Sequence, residues 1–269
     1  MNDIVNGSVA SPNLKAEKKI PVMEIFGPTI QGEGAVIGQQ TYFIRFGLCD
    51  YKCTMCDSMY AVDPKSVSEN AHWLTQDLIF EAFRAKWIPG STRWITFSGG
   101  NPCIHNLQVL VNHLNRVQFN VHVETQGTKC PDWLQSVSFV TISPKGPGMG
   151  EKLELDILDA FVRRMIELKG SPYSMCFKIV VFDQRDLEAA AMVFERYQSV
   201  VHPGQWYLSL GNKMPPGWAE TDLPHSQMMK ILVADYLTLW EDIRTHPILS
   251  QAKFLPQWHV FLWGNQKGV

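Results

Sequence analysis

Cys49, Cys53 and Cys56 stand in the run Arg45-Phe-Gly-Leu-Cys49-Asp-Tyr-Lys-Cys53-Thr-Met-Cys56-Asp57-Ser58, and their C-x3-C-x2-C spacing is the strongest chemical signal in the chain. Three thiolates on one loop suit a cubic iron-sulfur cluster. Each iron wants one soft ligand, so three cysteines leave the fourth iron open to an exogenous chelate such as the amino and carboxylate groups of S-adenosylmethionine. The rival reading is structural zinc or three buried thiols. Zinc of that kind wants four ligands, often in paired C-x2-C units, and after Cys56 no His or Cys stands at ligand spacing before His72. The remaining cysteines, Cys103, Cys130 and Cys176, are scattered and read as structural.

Other groups able to bind ligands follow strand-like runs. In Thr96-Phe97-Ser98-Gly99-Gly100-Asn101-Pro102 the paired glycines let backbone approach a ligand where a Cβ would block it, and Asn101 can hold an amino group. Glu124-Thr125-Gln126-Gly127-Thr128 and Ser143-Pro144-Lys145-Gly146 occupy similar strand ends. Near the start, Glu24-Ile-Phe26-Gly-Pro-Thr29-Ile30-Gln31-Gly32-Glu33-Gly34 supplies amide and carboxylate groups that match the donors and acceptors of an amino-pyrimidinone edge. Arg45 suits a substrate carboxylate bidentately.

The elements needed to position these groups are legible as an alternation. Strand-like runs cover Ile20 to Phe26, Thr41 to Phe46, Trp94 to Phe97, Phe119 to Val123, Val137 to Ile142, Phe177 to Phe182, Trp206 to Leu210 and His259 to Trp263. Helix-period segments cover Trp73 to Trp87, Asn106 to Val117, Leu155 to Leu168, Leu187 to Tyr197 and Ser226 to Arg244. This predicts an α/β fold of parallel strands with helices over the sheet and the ligand site at the strands' C-terminal ends. Met59 to Trp73, with Pro64 and several Ser and Asn, reads as a loop, and Gly146 to Gly150 as another.

With 269 residues, 45% of them apolar, one catalytic domain over 20–269 is expected, after a polar leader at 1–19. A net charge of −2 without blocks of like charge gives no footprint for a nucleic-acid backbone or an anionic membrane. No run approaches the length of a membrane span and the N-terminal stretch has no apolar signal region, so the expected location is cytoplasmic.

The cysteine spacing is the signature of the radical S-adenosylmethionine superfamily, which the chain resembles; Met55 stands where that superfamily usually carries an aromatic residue near the adenine. The stretch Gly99-Gly100-Asn101-Pro102 is similar to its Gly-Gly-Glu-Pro motif, which binds the methionyl amino group, with Asn101 in place of Glu. The resemblance implies an incomplete TIM-type β/α barrel. It also implies S-adenosylmethionine contacts from Met55, Cys56, Asp57, Gly99, Gly100, Asn101, Glu124, Gln126, Ser143, Pro144 and Lys145.

Gln31-Gly32-Glu33-Gly34, Ser58, Ser143-Pro144-Lys145 and Leu255-Pro256-Gln257-Trp258-His259 before Trp263-Gly264-Asn265 extend the likeness. Together with the cysteine triplet they resemble the 7-carboxy-7-deazaguanine synthase family over roughly 20–269. That family rearranges 6-carboxy-5,6,7,8-tetrahydropterin in the queuosine pathway. The resemblance implies a 4Fe-4S cluster on Cys49, Cys53 and Cys56, and substrate contacts from Ile30, Gln31, Gly32, Glu33, Arg45, Ser98, His259 and the carboxylate of Val269. It further implies magnesium at Ser58, where the family usually has Thr, a flavodoxin or ferredoxin donor, and a homodimer. Two alternatives remain at this point: an activating enzyme that makes a glycyl radical on a protein partner, and a zinc-stabilised interaction module.

Overall fold

The computed structural model describes residues 17–171, 173–213, 224–264, 266 and 268. Residues 1–16, most of the expected leader, lie outside that set.

Among the described residues nine strands form one sheet. They are β1 (Ile20–Ile30), β2 (Gln40–Phe46), β3 (His72–Leu74), β4 (Trp94–Gly99), β5 (Asn120–Thr125), β6 (Phe139–Ile142), β7 (Met175–Val181), β8 (Trp206–Leu210) and β9 (Lys253–Leu255), in the order β3-β1-β2-β4-β5-β6-β7-β8-β9. From β2 to β9 every neighbour is parallel. The sheet does not close, which makes it the expected partial barrel. The helices are α1 (Met59–Val62), α2 (Pro64–Asn70), α3 (Gln76–Lys86), α4 (Gln108–Arg116), α5 (Leu155–Lys169), α6 (Gln184–Tyr197), α7 (His225–Thr245) and α8 (Trp258–Trp263). The crossover helices bury one stripe each; α5 turns Leu158, Phe161, Val162 and Met165 inward.

The structure corrects the sequence reading in four places. β1 pairs antiparallel with β2, because the connection between them is too short for a helical crossover, and β3 pairs antiparallel with β1. Met59 to Trp73 is mostly helical: Pro64 is the first residue of α2 and the Asp63 carboxylate accepts from Ser66 N at 2.8 Å, so polar residues that suggested a loop are a helix start. Helix α3 starts only at Gln76, capped by Thr75, while Trp73 and Leu74 pair with β1. His259 to Trp263 is a helical turn, and the last strand is Lys253–Leu255; a run of four apolar residues does not by itself distinguish a strand from a short helix.

Across the interior of β2, β4, β5, β6 and β7 runs a buried polar chain. Thr41 Oγ1 lies 3.0 Å from Thr96 Oγ1, which is 3.3 Å from His122 Nδ1. His122 Nε2 is 2.8 Å from Thr141 Oγ1, itself 3.4 Å from Cys176 Sγ. Burial pushes the His122 imidazole down to about 4, from an ordinary 6.5. Between these two values the unfolded chain binds a proton that the folded chain refuses, so stability falls as pH falls through that window. The loss is on the order of 3 kcal/mol. Urea midpoints measured from neutral pH down to the lower end of the window should drop more steeply in the wild-type chain than in His122→Gln. Equal slopes would remove His122 as the responsible group.

Candidate active site

Arg45, Ser98, Gly99, Glu124 and Ser143 come from the C-terminal ends of β2, β4, β5 and β6, where a parallel barrel presents its site. They line one open cavity of about 1240 Å³, counted to its mouth. The same cavity is lined by Ile30, Gln31, Gly32, Glu33, Cys49, Cys53, Met55, Cys56, Asp57, Ser58, Gly100, Gln126, Lys145 and His259. Thus all but three of the expected site residues meet there. Pro144 and Asn101 do not line it, and Val269 lies outside the described residues.

The cysteine loop is braced from two sides. Gly99 (φ +109) and Gly100 press against its root: Gly100 N donates to Phe46 O at 2.8 Å and Asn101 N to Leu48 O at 2.9 Å. On the other side Thr54 N donates to Met149 O at 2.9 Å and Lys52 N to Glu151 Oε1 at 2.9 Å, so the glycine-rich loop at 146–150 is a clamp. Met149 and Phe182 pack on Cys53. Gln126 Nε2 donates to Cys49 Sγ at 3.3 Å, a contact that orients a sulfur ligand.

Burial pushes the Cys53 thiol up to about 11 and Cys56 to about 12, and raises Cys49 as well. Bound metal inverts this preference and deprotonates a coordinating thiol outright. Among the described residues no three His, Cys, Asp or Glu side chains converge as they would on a single metal ion. The three thiols share the wall of one cavity.

Asn101 is fully buried and its amide is committed. Its Oδ1 accepts from Cys103 N and Thr125 Oγ1, and its Nδ2 donates to Asp50 Oδ1 and Thr128 Oγ1. Two donors and two acceptor sites are all a primary amide has. Any ligand contact from this position therefore falls to its backbone. Asp50, which the sequence reading passed over, also accepts from Gln126 and Thr128 and ties three motifs together.

Arg45 lies over Phe26 and Phe43, at 5.3 and 5.8 Å from their ring centres. Its Nε is 3.0 Å from Glu24 Oε1, and its Nη1 donates to Ser58 Oγ at 3.1 Å. Ser58 in turn donates to Asp57 Oδ1 at 3.0 Å, and Tyr60 donates to Glu24. The guanidinium is thus aimed by Glu24 and Ser58.

The connection after β1 begins at the end of the sheet opposite the other site loops, yet it turns into the barrel. Gln31 Nε2 donates to Glu124 Oε1 at 3.3 Å, and the Glu33 carboxylate takes Lys178 Nζ at 2.8 Å and Gln257 Nε2 at 3.0 Å. Gly32 is required because a Cβ there would sit 2.6 Å from His259 Nδ1 and 2.9 Å from His259 N. Trp258 N donates to Gly32 O at 3.1 Å, fixing the C-terminal segment over the loop. Burial alone would raise the Glu33 carboxyl, but the Lys178 ammonium, His259 and two hydrogen bonds outweigh it and bring it down to about 2. Lys178 and Gln257 were missed from sequence; a lysine inside the apolar run Phe177 to Phe182 was the available signal, since lysine is rarely buried unless paired.

An unclosed, mostly parallel sheet with a three-cysteine loop opening on its C-terminal face defines the class: a radical S-adenosylmethionine enzyme. The chain is 38% identical over 253 residues to 7-carboxy-7-deazaguanine synthase of Bacillus cereus, spanning 93% of this chain and 99% of the relative, and 36% identical to that of Bacillus subtilis, spanning 94% and 99%. It belongs to the 7-carboxy-7-deazaguanine synthase family. The fold is similar to the crystal structure of QueE from Escherichia coli, with a TM-score of 0.57 at 21% identity over 89% of this chain and 94% of that one. No family model matches the chain.

Proposed function

We propose that the chain converts 6-carboxy-5,6,7,8-tetrahydropterin into 7-carboxy-7-deazaguanine and ammonia, in the queuosine pathway. The observation that carries this reading is the meeting, in one cavity, of the cysteine triplet with Arg45 and the Gln31–Glu33 floor. Cys49, Cys53 and Cys56 would hold a 4Fe-4S cluster. When bound, the cluster and S-adenosylmethionine supply one-electron cleavage of the sulfonium and hydrogen abstraction from the substrate.

The chain's own residues do the positioning. Gly99 and Gly100 allow close backbone approach, and Ser143 and Lys145 offer polar contacts to S-adenosylmethionine. Gln31 and Glu33 face the amino-pyrimidinone edge, and Arg45 faces the substrate carboxylate. Such restraint matters because hydrogen abstraction needs the reacting atoms near contact distance. Met149, Val180 and Phe182, packed around Cys53, exclude water from the cluster side.

Anaerobic reconstitution followed by addition of the pterin tests the reading. The expected result is deoxyadenosine formation under a strong reductant and release of the deazaguanine with ammonia. A chain that forms deoxyadenosine but leaves the pterin unchanged and instead places a radical on a polypeptide would be an activating enzyme, and the proposal would fail.

Magnesium at Ser58 belongs to the same proposal. Ser58 Oγ and Asp57 Oδ1 are hard oxygen donors 3.0 Å apart, and Arg45 must release its bond to Ser58 for a dication to bind there. Ser58→Ala is expected to lower magnesium stimulation of turnover about tenfold. Unchanged turnover and metal dependence would take Ser58 out of the site. The proposal extends, on family resemblance, to a flavodoxin or ferredoxin as electron source and a homodimer in the cytoplasm. Among the described residues no helix is long and apolar enough to cross a membrane.

A further inference from the structure

Lys178 is not needed for any step above, yet it is the cation buried in the wall of the cavity. Its side chain projects from β7 and is 8% exposed, its partner Glu33 9%. The Glu33 carboxylate is gripped from two distant parts of the chain, Oε2 by Lys178 and Oε1 by Gln257, while the Glu33 backbone N–H donates to Gln31 Oε1 at 3.2 Å. The titratable groups around the pair are His259 on α8, beside Glu33, and Glu124 on β5 with Asp57 on the cysteine loop, beside Lys178. A carboxylate buried without a partner takes up a proton and becomes a donor, whereas an ionised one only accepts.

We propose that Lys178 sets the pocket's ligand selectivity: by keeping Glu33 an anion inside the cavity, it makes the floor accept a pyrimidine edge that offers N–H donors and reject one that offers a carbonyl. The inference rests on the pterin reading above and adds the residue that enforces it. The 2-amino group of a pterin donates to Glu33; a lumazine, with oxygen at the same carbon, sets a carbonyl against the carboxylate. Lys178 is a positioning residue, acting through Glu33.

The test uses two oxidised fluorescent ligands that are not turned over, 6-carboxypterin and 6-carboxylumazine. Each is titrated into the reconstituted enzyme with S-adenosylmethionine, and affinity is read from the change in emission. The wild-type chain should favour the pterin by about ten- to a hundredfold, the scale of a hydrogen bond to a charged group. In Lys178→Met the preference should shrink to within about threefold, because Glu33 is then free to protonate. Where that variant does not fold, Glu33→Gln/Lys178→Met serves, since it removes both charges and leaves an amide that accepts either ligand. A folded variant of either kind that keeps the wild-type preference overturns the proposal. So does a wild-type chain that binds both ligands equally. A wild-type chain that binds neither shows instead that the pterin reading itself has failed.

Discussion

Cys56→Ala is expected to abolish deoxyadenosine formation, with a fall of more than about three orders of magnitude, the scale on which members of one catalytic unit act when removed. The reason is ligand count. Three thiols leave one iron open; two leave a cluster without enough soft donors. Cys103→Ala is the control. That thiol is buried beside the Asn101 turn and does not line the cavity, so its variant should keep the visible absorbance of the cluster and produce deoxyadenosine. Iron analysis and product assay on the two proteins side by side decide the matter. A Cys56→Ala protein with wild-type iron and deoxyadenosine would show that the cluster is held elsewhere.

The largest effect on stability is expected from Gly100→Ala. A Cβ at that position would lie 1.9 Å from Leu48 O and 2.5 Å from Leu48 C, both backbone atoms that no side-chain rotation can move. To admit it, the end of β4 must part from the root of the cysteine loop, breaking the Asn101 N to Leu48 O bond. The cost should be about 3 kcal/mol or more, at the upper end for overpacking. At 2–4 °C per kcal/mol, thermal unfolding should move down by roughly 6–12 °C. Gly90→Ala provides the scale. Gly90 has φ +84 and nothing within 4 Å of its absent Cβ, so only backbone strain of about 1 kcal/mol is added. Equal melting shifts in the two variants would mean that the close approach at Gly100 yields easily.

Most of the site was legible because its residues sit where local pattern and barrel logic coincide. A strand-like run ends, and within a few positions comes a polar or glycine motif: Ser98 to Gly100, Glu124 to Gln126 and Ser143 to Lys145 all follow this rule. The Gln31 loop escapes it, since it starts from the opposite end of the sheet and reaches the cavity only by turning inward. Lys178 was passed over for a related reason. Periodicity marks its strand as buried but does not show that a glutamate 145 residues earlier neutralises the charge. Asn101 is the reverse case. Its motif pointed to a ligand contact, and its amide proved to be absorbed by Asp50, Cys103, Thr125 and Thr128, all of them outside the motif. Two of the element errors share one origin. Asp63-Pro64 and His259 to Trp263 are short, and below about two turns a helix carries too little periodic signal to be told from a loop or a strand.

The bonds that hold Glu33 reach 145 residues forward to Lys178 and 224 forward to Gln257. A polypeptide emerging from the ribosome could pair its first strands and shape the cysteine loop while the binding floor still lacked most of its supports, since domains fold as their segments are synthesised. The hold on Glu33 is therefore completed only when Gln257 has been made, and a product ending before that residue would carry the cysteines with the Glu33 carboxylate one hydrogen bond short.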